Sequence, residues 1–123
     1  MRAMNLDMNK PWLQKARRWL ESVQHEDGGW GERCNTYDDP VFKGQGPSTA
    51  SQTAWALIAL HAAGHPRDEM VERGLRFLAD TQREDGNWDE PYYTGTGFPG
   101  DFYINYHLYR LVFPVTALGR WLA

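Results

Sequence analysis

The sequence has little cysteine, no run of like charge and no long apolar segment. Cys34 is the single cysteine among 123 residues, which excludes an internal disulfide and fits a reducing compartment. The formal net charge is −3 without a basic run, which argues against nucleic acid as a partner. The longest apolar run, 54–60, is far shorter than the roughly 20 residues of a membrane span, so only association with one membrane face stays open.

Aromatic side chains, by contrast, are abundant: the chain has six Trp, six Tyr and five Phe. Hydrophobic residues make up 41% of the sequence, which argues against an intrinsically disordered protein. So many rings require either a large core or a cavity whose walls are aromatic.

A seven-residue motif occurs twice, as QHEDGGW in residues 24–30 and as QREDGNW in residues 82–88. An offset of 58 residues aligns Gln24 with Gln82 and Trp30 with Trp88. Such internal self-similarity indicates tandem supersecondary units. We expect these four residues to be structural, with the glutamine amide stacked on the indole and bonded to free backbone groups of helix ends. Exposed Trp beside Asp and Gly would instead suit a sugar-binding platform.

The periodicity predicts two 58-residue helix pairs, at about 12–64 and 67–122, within one segment 1–123. Helices are predicted over 11–24, from 49 to about 64, over 68–82 and over 102–122, and Pro114 is predicted to kink or split the last one. No strand pattern competes. The predicted fold class is all-α, with antiparallel helix pairs forming an arc of an (α/α) barrel or toroid. Because such an arc has open ends, we expect it to belong to a larger toroid or to form a homo-oligomer.

Both motif copies and their preceding helices, KARRWLESVQHEDGGW and RGLRFLADTQREDGNW, resemble the QW motifs of triterpene cyclases. The segment YYTGTGFPGDFYINYHLYRLVFPVTALGRW resembles the C-terminal end of bacterial squalene–hopene cyclases. The resemblance implies an (α/α) barrel that protonates a linear polyprenoid such as squalene and cyclises it to hopene-type pentacyclic triterpenes. It further implies no metal or organic cofactor, the rest of a cyclase chain as partner, and peripheral association with the cytoplasmic side of a membrane.

Carbocation chemistry explains why such a cavity needs aromatic walls. A base or a nucleophile would end the cascade, whereas aromatic faces stabilise a cation by roughly 0.5–2 kcal/mol each without reacting. The resemblance assigns Phe98 and Phe102 to late-ring cations, Tyr106 to cation stabilisation and cavity shape, Tyr109 to positioning its neighbours, and Ile104 to a steric wall.

The spacing of Phe102, Tyr106, Tyr109 and Phe113 places four rings on one face of the predicted last helix. Ordinary core packing produces the same pattern, so the spacing by itself does not distinguish a cavity wall from a core.

The acidic motif of the family, Asp-x-Asp-Asp, is absent from this sequence. Asp38-Asp39 lacks the pattern and Asp101 stands alone, so no residue is predicted to protonate a substrate. We therefore expect the chain to be a C-terminal portion of a longer cyclase and to be inactive alone.

Two other functions stay open. A stand-alone helical-repeat module would bind a lipid or a protein in an aromatic groove. The barrel of a protein prenyltransferase would need zinc ligands of Asp, Cys and His; His61 and His65 are four residues apart, but no third ligand is placed by the sequence.

Overall fold

The structure, a computed structural model, describes residues 7–98 and 101–123. Within this described part, four α-helices, α1 to α4, span Pro11–Ser22, Ala50–Ala62, Glu69–Thr81 and Tyr109–Leu122. Two 3-10 turns, Cys34–Tyr37 and Pro40–Phe42, lie between α1 and α2, and a hairpin of β1, Gly95–Phe98, and β2, Phe102–Ile104, precedes α4. The predicted, mainly helical class is thus confirmed.

Side-chain caps determine where α2 and α3 begin. The Thr49 side chain accepts a hydrogen bond from Gln52 N, and the Asp68 side chain accepts one from Val71 N. Both bonds satisfy backbone N–H groups that have no partner inside the helix. α1 has no side-chain cap and begins with Pro11, whose fixed backbone angle suits the first helical position. The predicted starts of these helices are confirmed to within one residue.

Helix α2 packs most extensively against α4 and has a smaller contact with α3. Trp55 meets Tyr109 and Phe113 near the start of α4, whereas His61 meets Trp121 near its end. The two helices therefore run in the same direction. Side chains from α2, α3, α4 and both motif copies form the buried core, which includes Trp30, Ala54, Leu57, Leu60, Val71, Leu75, Leu78, Trp88 and Ala117.

The glutamines of the two motif copies make the same local hydrogen bond. Gln24 Nε2 donates to Gly28 O, and Gln82 Nε2 donates to Gly86 O, each at 2.9 Å. Both glycines have positive φ, +88° and +80°, which a side chain would disfavour. Gln24 Nε2 also donates to Met70 O in α3 at 2.9 Å, so the first copy is bonded to the helix that precedes the second.

The tryptophans of the motif also make equivalent bonds. Trp30 Nε1 donates to Leu20 O and Trp88 Nε1 donates to Leu78 O, each at 2.8 Å, and both rings are buried. Each indole therefore joins the turn to the helix before it. The assignment of the whole chain to two repeats of 58 residues stays a prediction.

The segment before α4 differs from the sequence prediction. The helix predicted over 102–122 begins instead at Tyr109, and Phe102–Ile104 forms a strand. Gly95 pairs with Ile104 and Phe98 with Phe102 in an antiparallel hairpin. Phe, Tyr and Ile favour extended backbone, and pairing with another strand overrides a spacing that also suits a helix. Two predictions are therefore wrong: that no strand pattern competes, and that residues 102 and 106 lie on one face of a helix.

Pro114 lies inside α4, which continues as one helix from Tyr109 to Leu122. Of the two predicted effects of Pro114, the split is therefore wrong, and the kink stays a prediction. Because proline has no N–H, the carbonyl of Arg110, four residues earlier, receives no helical hydrogen bond from this position.

The two motif glycines offer a matched test of what the first copy contacts. A Cβ added at Gly28 would lie 2.6 Å from Arg73 O, whereas one at Gly86 would meet nothing closer than Gln82 Nε2 at 3.9 Å. Both alanine variants lose about 1–2 kcal/mol of unfolding free energy through the positive φ. We expect Gly28→Ala to lose about 1–3 kcal/mol more, because the overlap displaces α3. Urea unfolding of the two variants measures the difference, and equal losses would contradict the predicted overlap.

Candidate functional site

Four aromatic rings form a contiguous cluster where α2 and α4 begin. Tyr106 stacks on Tyr109 with ring centroids 4.9 Å apart and an interplanar angle of 20°. Tyr109 also meets the edge of Phe113 at 5.1 Å, and Trp55 of α2 meets both rings at 5.7 and 5.3 Å. These separations suit favourable aromatic pairs, so the cluster has a defined geometry.

The hairpin places the other predicted site residues beside this cluster. Phe98 and Phe102 are paired across β1 and β2, and their exposed fractions are 70% and 52%. Tyr106, in the turn after β2, is 42% exposed, whereas Ile104 and Tyr109 are half-buried. The predicted residues thus come from three elements: a hairpin, a turn and the first position of α4. Their three most exposed rings face away from the described core.

Gly95 allows the hairpin and Tyr106 to approach each other. A Cβ added at Gly95 would overlap the carbonyl oxygen of Ile104 and would lie 2.7 Å from Cδ2 of Tyr106. Gly95 is buried, so an added methyl group would have no solvent-filled space to occupy beside these two neighbours. The absence of a side chain at this position is therefore what lets the Tyr106 ring reach its place on Tyr109.

A buried carboxylate lies behind the tyrosines. Glu90, 9% exposed, accepts hydrogen bonds from Ser51 Oγ and, at 3.3 Å, from Ser51 N at the start of α2. Burial raises the pKa of the Glu90 carboxyl, while hydrogen bonds from Ser51 and Thr49 and the charge of Arg110 act in the opposite direction. Glu90, Ser51, Tyr109 and Arg110 line a small cavity of about 10 Å³.

Sequence reasoning did not single out this polar group as part of a site. A signal was available, because the motif offset places Glu32 on Glu90 two residues after each motif tryptophan. The two carboxylates nevertheless have different partners, since Glu32 Oε2 accepts from Gly44 N at 2.8 Å in the long loop. The repeat therefore predicted the residue type but not its surroundings.

A second concave surface lies between α1, α2 and the loop that joins them. This groove has a volume of about 390 Å³ and includes the rings of Trp19, Trp30 and Trp55 on its walls. Its size falls within the range typical of small-molecule pockets. The groove is therefore a candidate binding surface that is separate from the hairpin.

The histidines and the cysteine have other partners. His65 Nε2 pairs with Asp68 Oδ2 at 2.8 Å, and His61 packs edge-on against Trp121. Cys34 Sγ donates to Tyr93 O at 3.5 Å, and desolvation raises the pKa of its thiol. Across residues 7–98 and 101–123, no three His, Cys, Asp or Glu side chains come together in a group that could hold a metal ion.

The helices were also compared with the dimensions of a membrane span. None of the helices in the described ranges combines the length and the apolar character that crossing a bilayer requires.

Helices, two glutamine–tryptophan turns and a ring cluster at one end define a mainly helical protein with an aromatic face. The family described as squalene-hopene cyclase C-terminal domain matches residues 1–123, and the chain belongs to this family.

Three relatives illustrate the similarity. Squalene–hopene cyclase of Alicyclobacillus acidocaldarius is 62% identical over 91 residues, which cover 74% of this chain and 14% of that protein. A probable squalene–hopene cyclase of Sinorhizobium fredii is 48% identical over 122 residues, covering 98% of this chain and 19% of the relative. Dammaradiene synthase of Dryopteris crassirhizoma is 46% identical over 123 residues, covering 89% of this chain and 18% of the relative. The chain thus spans less than a fifth of each of these proteins.

Substitution of Gly95 tests how the ring cluster is held. We expect Gly95→Ala to lower the unfolding free energy by about 1–3 kcal/mol, because the added methyl group overlaps Ile104 O and the Tyr106 ring. The NMR resonances of the Tyr106 and Tyr109 rings should shift as the stack opens. Gly119→Ala is the control, since an added Cβ there meets nothing within 4 Å. It should stabilise α4 by up to about 1 kcal/mol. Unchanged ring resonances in Gly95→Ala would contradict this account.

Proposed function

We propose that this chain supplies part of the cavity wall of a triterpene cyclase. The reaction is the cyclisation of a linear polyprenoid of the squalene type to a hopene-type pentacyclic triterpene. The observation that carries the proposal is the contiguous cluster of Tyr106, Tyr109, Phe113 and Trp55 beside the hairpin rings. The names of two relatives, squalene–hopene cyclase and probable squalene–hopene cyclase, support the same reaction.

The chemistry of the cluster suits a reaction through carbocations. Each ring offers electron density that attracts a cation within about 6 Å of its centroid and forms no bond with it. Phe98 and Phe102 would meet the cations of the later rings, with Tyr106 supporting them. Tyr109 would hold Tyr106 in place by stacking, and Ile104 would limit the space beside the substrate.

The exposed apolar surfaces support a place within a longer (α/α) barrel. α4 has an exposed stripe at helical spacing, formed by Leu108, Val112, Val115 and Leu122. Trp12 and Trp19 are exposed on α1. We infer that neighbouring helices of the longer protein cover both surfaces, extending the parallel packing of α2 and α4. The exposed rings of the hairpin would then line the enclosed cavity.

Other parts of that longer protein must supply the remaining chemistry. Protonation of the terminal double bond needs a carboxylic acid, and the Asp-x-Asp-Asp motif that supplies it in the family is absent from this sequence. We therefore propose that the acid comes from the rest of the cyclase and that the chain alone does not cyclise squalene. A homo-oligomer and peripheral association with the cytoplasmic side of a membrane belong to the same proposal.

A second candidate function is a helical-repeat module that binds a lipid or a protein. The groove of about 390 Å³ with Trp19, Trp30 and Trp55 on its walls favours it, because this groove exists without any further chain. Binding of a squalene analogue by the isolated chain, with quenching of tryptophan fluorescence, would support this alternative.

A chimeric cyclase tests the principal proposal. This chain would replace the matching segment of the Alicyclobacillus acidocaldarius cyclase, and products from squalene would be identified by gas chromatography with mass spectrometry. We expect the chimera to form pentacyclic product. Phe102→Ala should raise the proportion of incompletely cyclised products about tenfold, since a lost cation contact of about 1.4 kcal/mol changes a rate ratio by that factor. Phe42→Ala, an exposed phenylalanine in the loop, is the control. A chimera that folds but forms no cyclic product would refute the proposal.

A further inference from the structure

We propose that Glu90 is a positioning residue of the cyclase site: bonded to the start of α2, it faces the cavity beside the start of α4 and so fixes the stack of Tyr106 on Tyr109. This inference rests on the proposed function, and it concerns a residue that touches neither the substrate nor the reacting atoms.

Glu90 is held firmly on the α2 side. Its carboxylate accepts from both the backbone N and the hydroxyl of Ser51, and Thr49 adds a further side-chain hydrogen bond. Thr49 and Ser51 are the N-cap and second residue of α2, where free N–H groups and the helix dipole favour a negative charge. The carboxylate is therefore fixed relative to α2, and with it Trp55 one turn further on.

Arg110 of α4 lines the same small cavity as this carboxylate. Its charge favours the ionised form of Glu90, and both residues line the cavity of about 10 Å³ beside Tyr106 and Tyr109. This volume is about what one water molecule needs. Arg110 Nε is buried and has no hydrogen-bond partner among the described residues. Without Glu90, the partly buried Arg110 in the first turn of α4 would lose a nearby negative charge, and we expect that turn to rearrange.

A rearrangement of this turn would reach the rings directly. Arg110 follows Tyr109, the first residue of α4, whose ring stacks on Tyr106 at 4.9 Å. A displacement of about 1 Å at a reacting centre is enough to lower a rate about a hundredfold. Because a carboxylate in contact with a carbocation would end the cascade, Glu90 suits a place behind the rings and not at the substrate.

Glu32 is the matched control for Glu90. It has the same position relative to its motif tryptophan, but its carboxylate accepts from Gly44 N in the loop and not from Ser51 of α2. Glu32→Gln therefore removes a carboxylate from the equivalent motif position without affecting the junction of α2 and α4.

The first experiment measures ring geometry in the 123-residue chain. Nuclear Overhauser contacts between the Tyr106 and Tyr109 rings should weaken several-fold in Glu90→Gln and in Arg110→Met, and should persist in Glu32→Gln. This measurement does not depend on catalysis. Ring contacts in Glu90→Gln that equal those of the parent chain would overturn the inference.

The second experiment measures products in the chimeric cyclase. Glu90→Gln should lower kcat about tenfold, with KM changed by less than about twofold, and should raise the proportion of incompletely cyclised products. Arg110→Met should have the same effect, and the double variant should be no worse than either single variant. A lower Tm with unchanged product proportions would assign Glu90 to helix capping alone. Lack of cyclic product from the parent chimera would count against the proposed function, and the ring contacts would still decide the role of Glu90.

Discussion

The parallel packing of α2 against α4 is the constraint on which the rest of the structure depends. It places Trp55 against Tyr109 and Phe113, and it is the most extensive contact between two elements of the described part. The buried residues of α2 are nearly all small or aliphatic, so α4 approaches closely and aromatic rings collect where both helices begin. Core packing thus produces the ring cluster. The same ring can pack against the core on one side and form part of a cavity wall on the other.

Hydrogen bonds join the turn after α1 to helix α3. Gln24 bonds the first turn motif to α3 through Met70 O, and Arg73 of α3 donates to His25 O and Glu26 O at 2.7 and 2.9 Å. These polar contacts hold α3 against the turn, although no residue of α1 is itself buried. Directional hydrogen bonds therefore help to fix the turn that follows α1, a helix with no buried residue of its own.

Local signals in the sequence predicted more than non-local ones. The caps at Thr49 and Asp68 involve residues within one turn, so pattern alone located α2 and α3. The strand at Phe102 depends on pairing with β1, and local spacing favoured a helix there. Glu90 was missed for the same reason, because its partners are 39 residues away in sequence at Ser51. The site residues were named through family resemblance, and their arrangement on a hairpin, a turn and a helix could not be read from spacing.

The indole hydrogen bonds of the two motif copies bear on how repeated segments arise by gene duplication. Trp30 reaches Leu20 O and Trp88 reaches Leu78 O, in both cases ten residues back along the chain. Each indole bond is therefore made within its own segment, and the first turn is bonded in addition to α3 through Gln24 and Arg73. A gene duplication that copies one such segment would copy the indole and its acceptor carbonyl together. Only the surfaces that contact neighbouring helices would need to evolve.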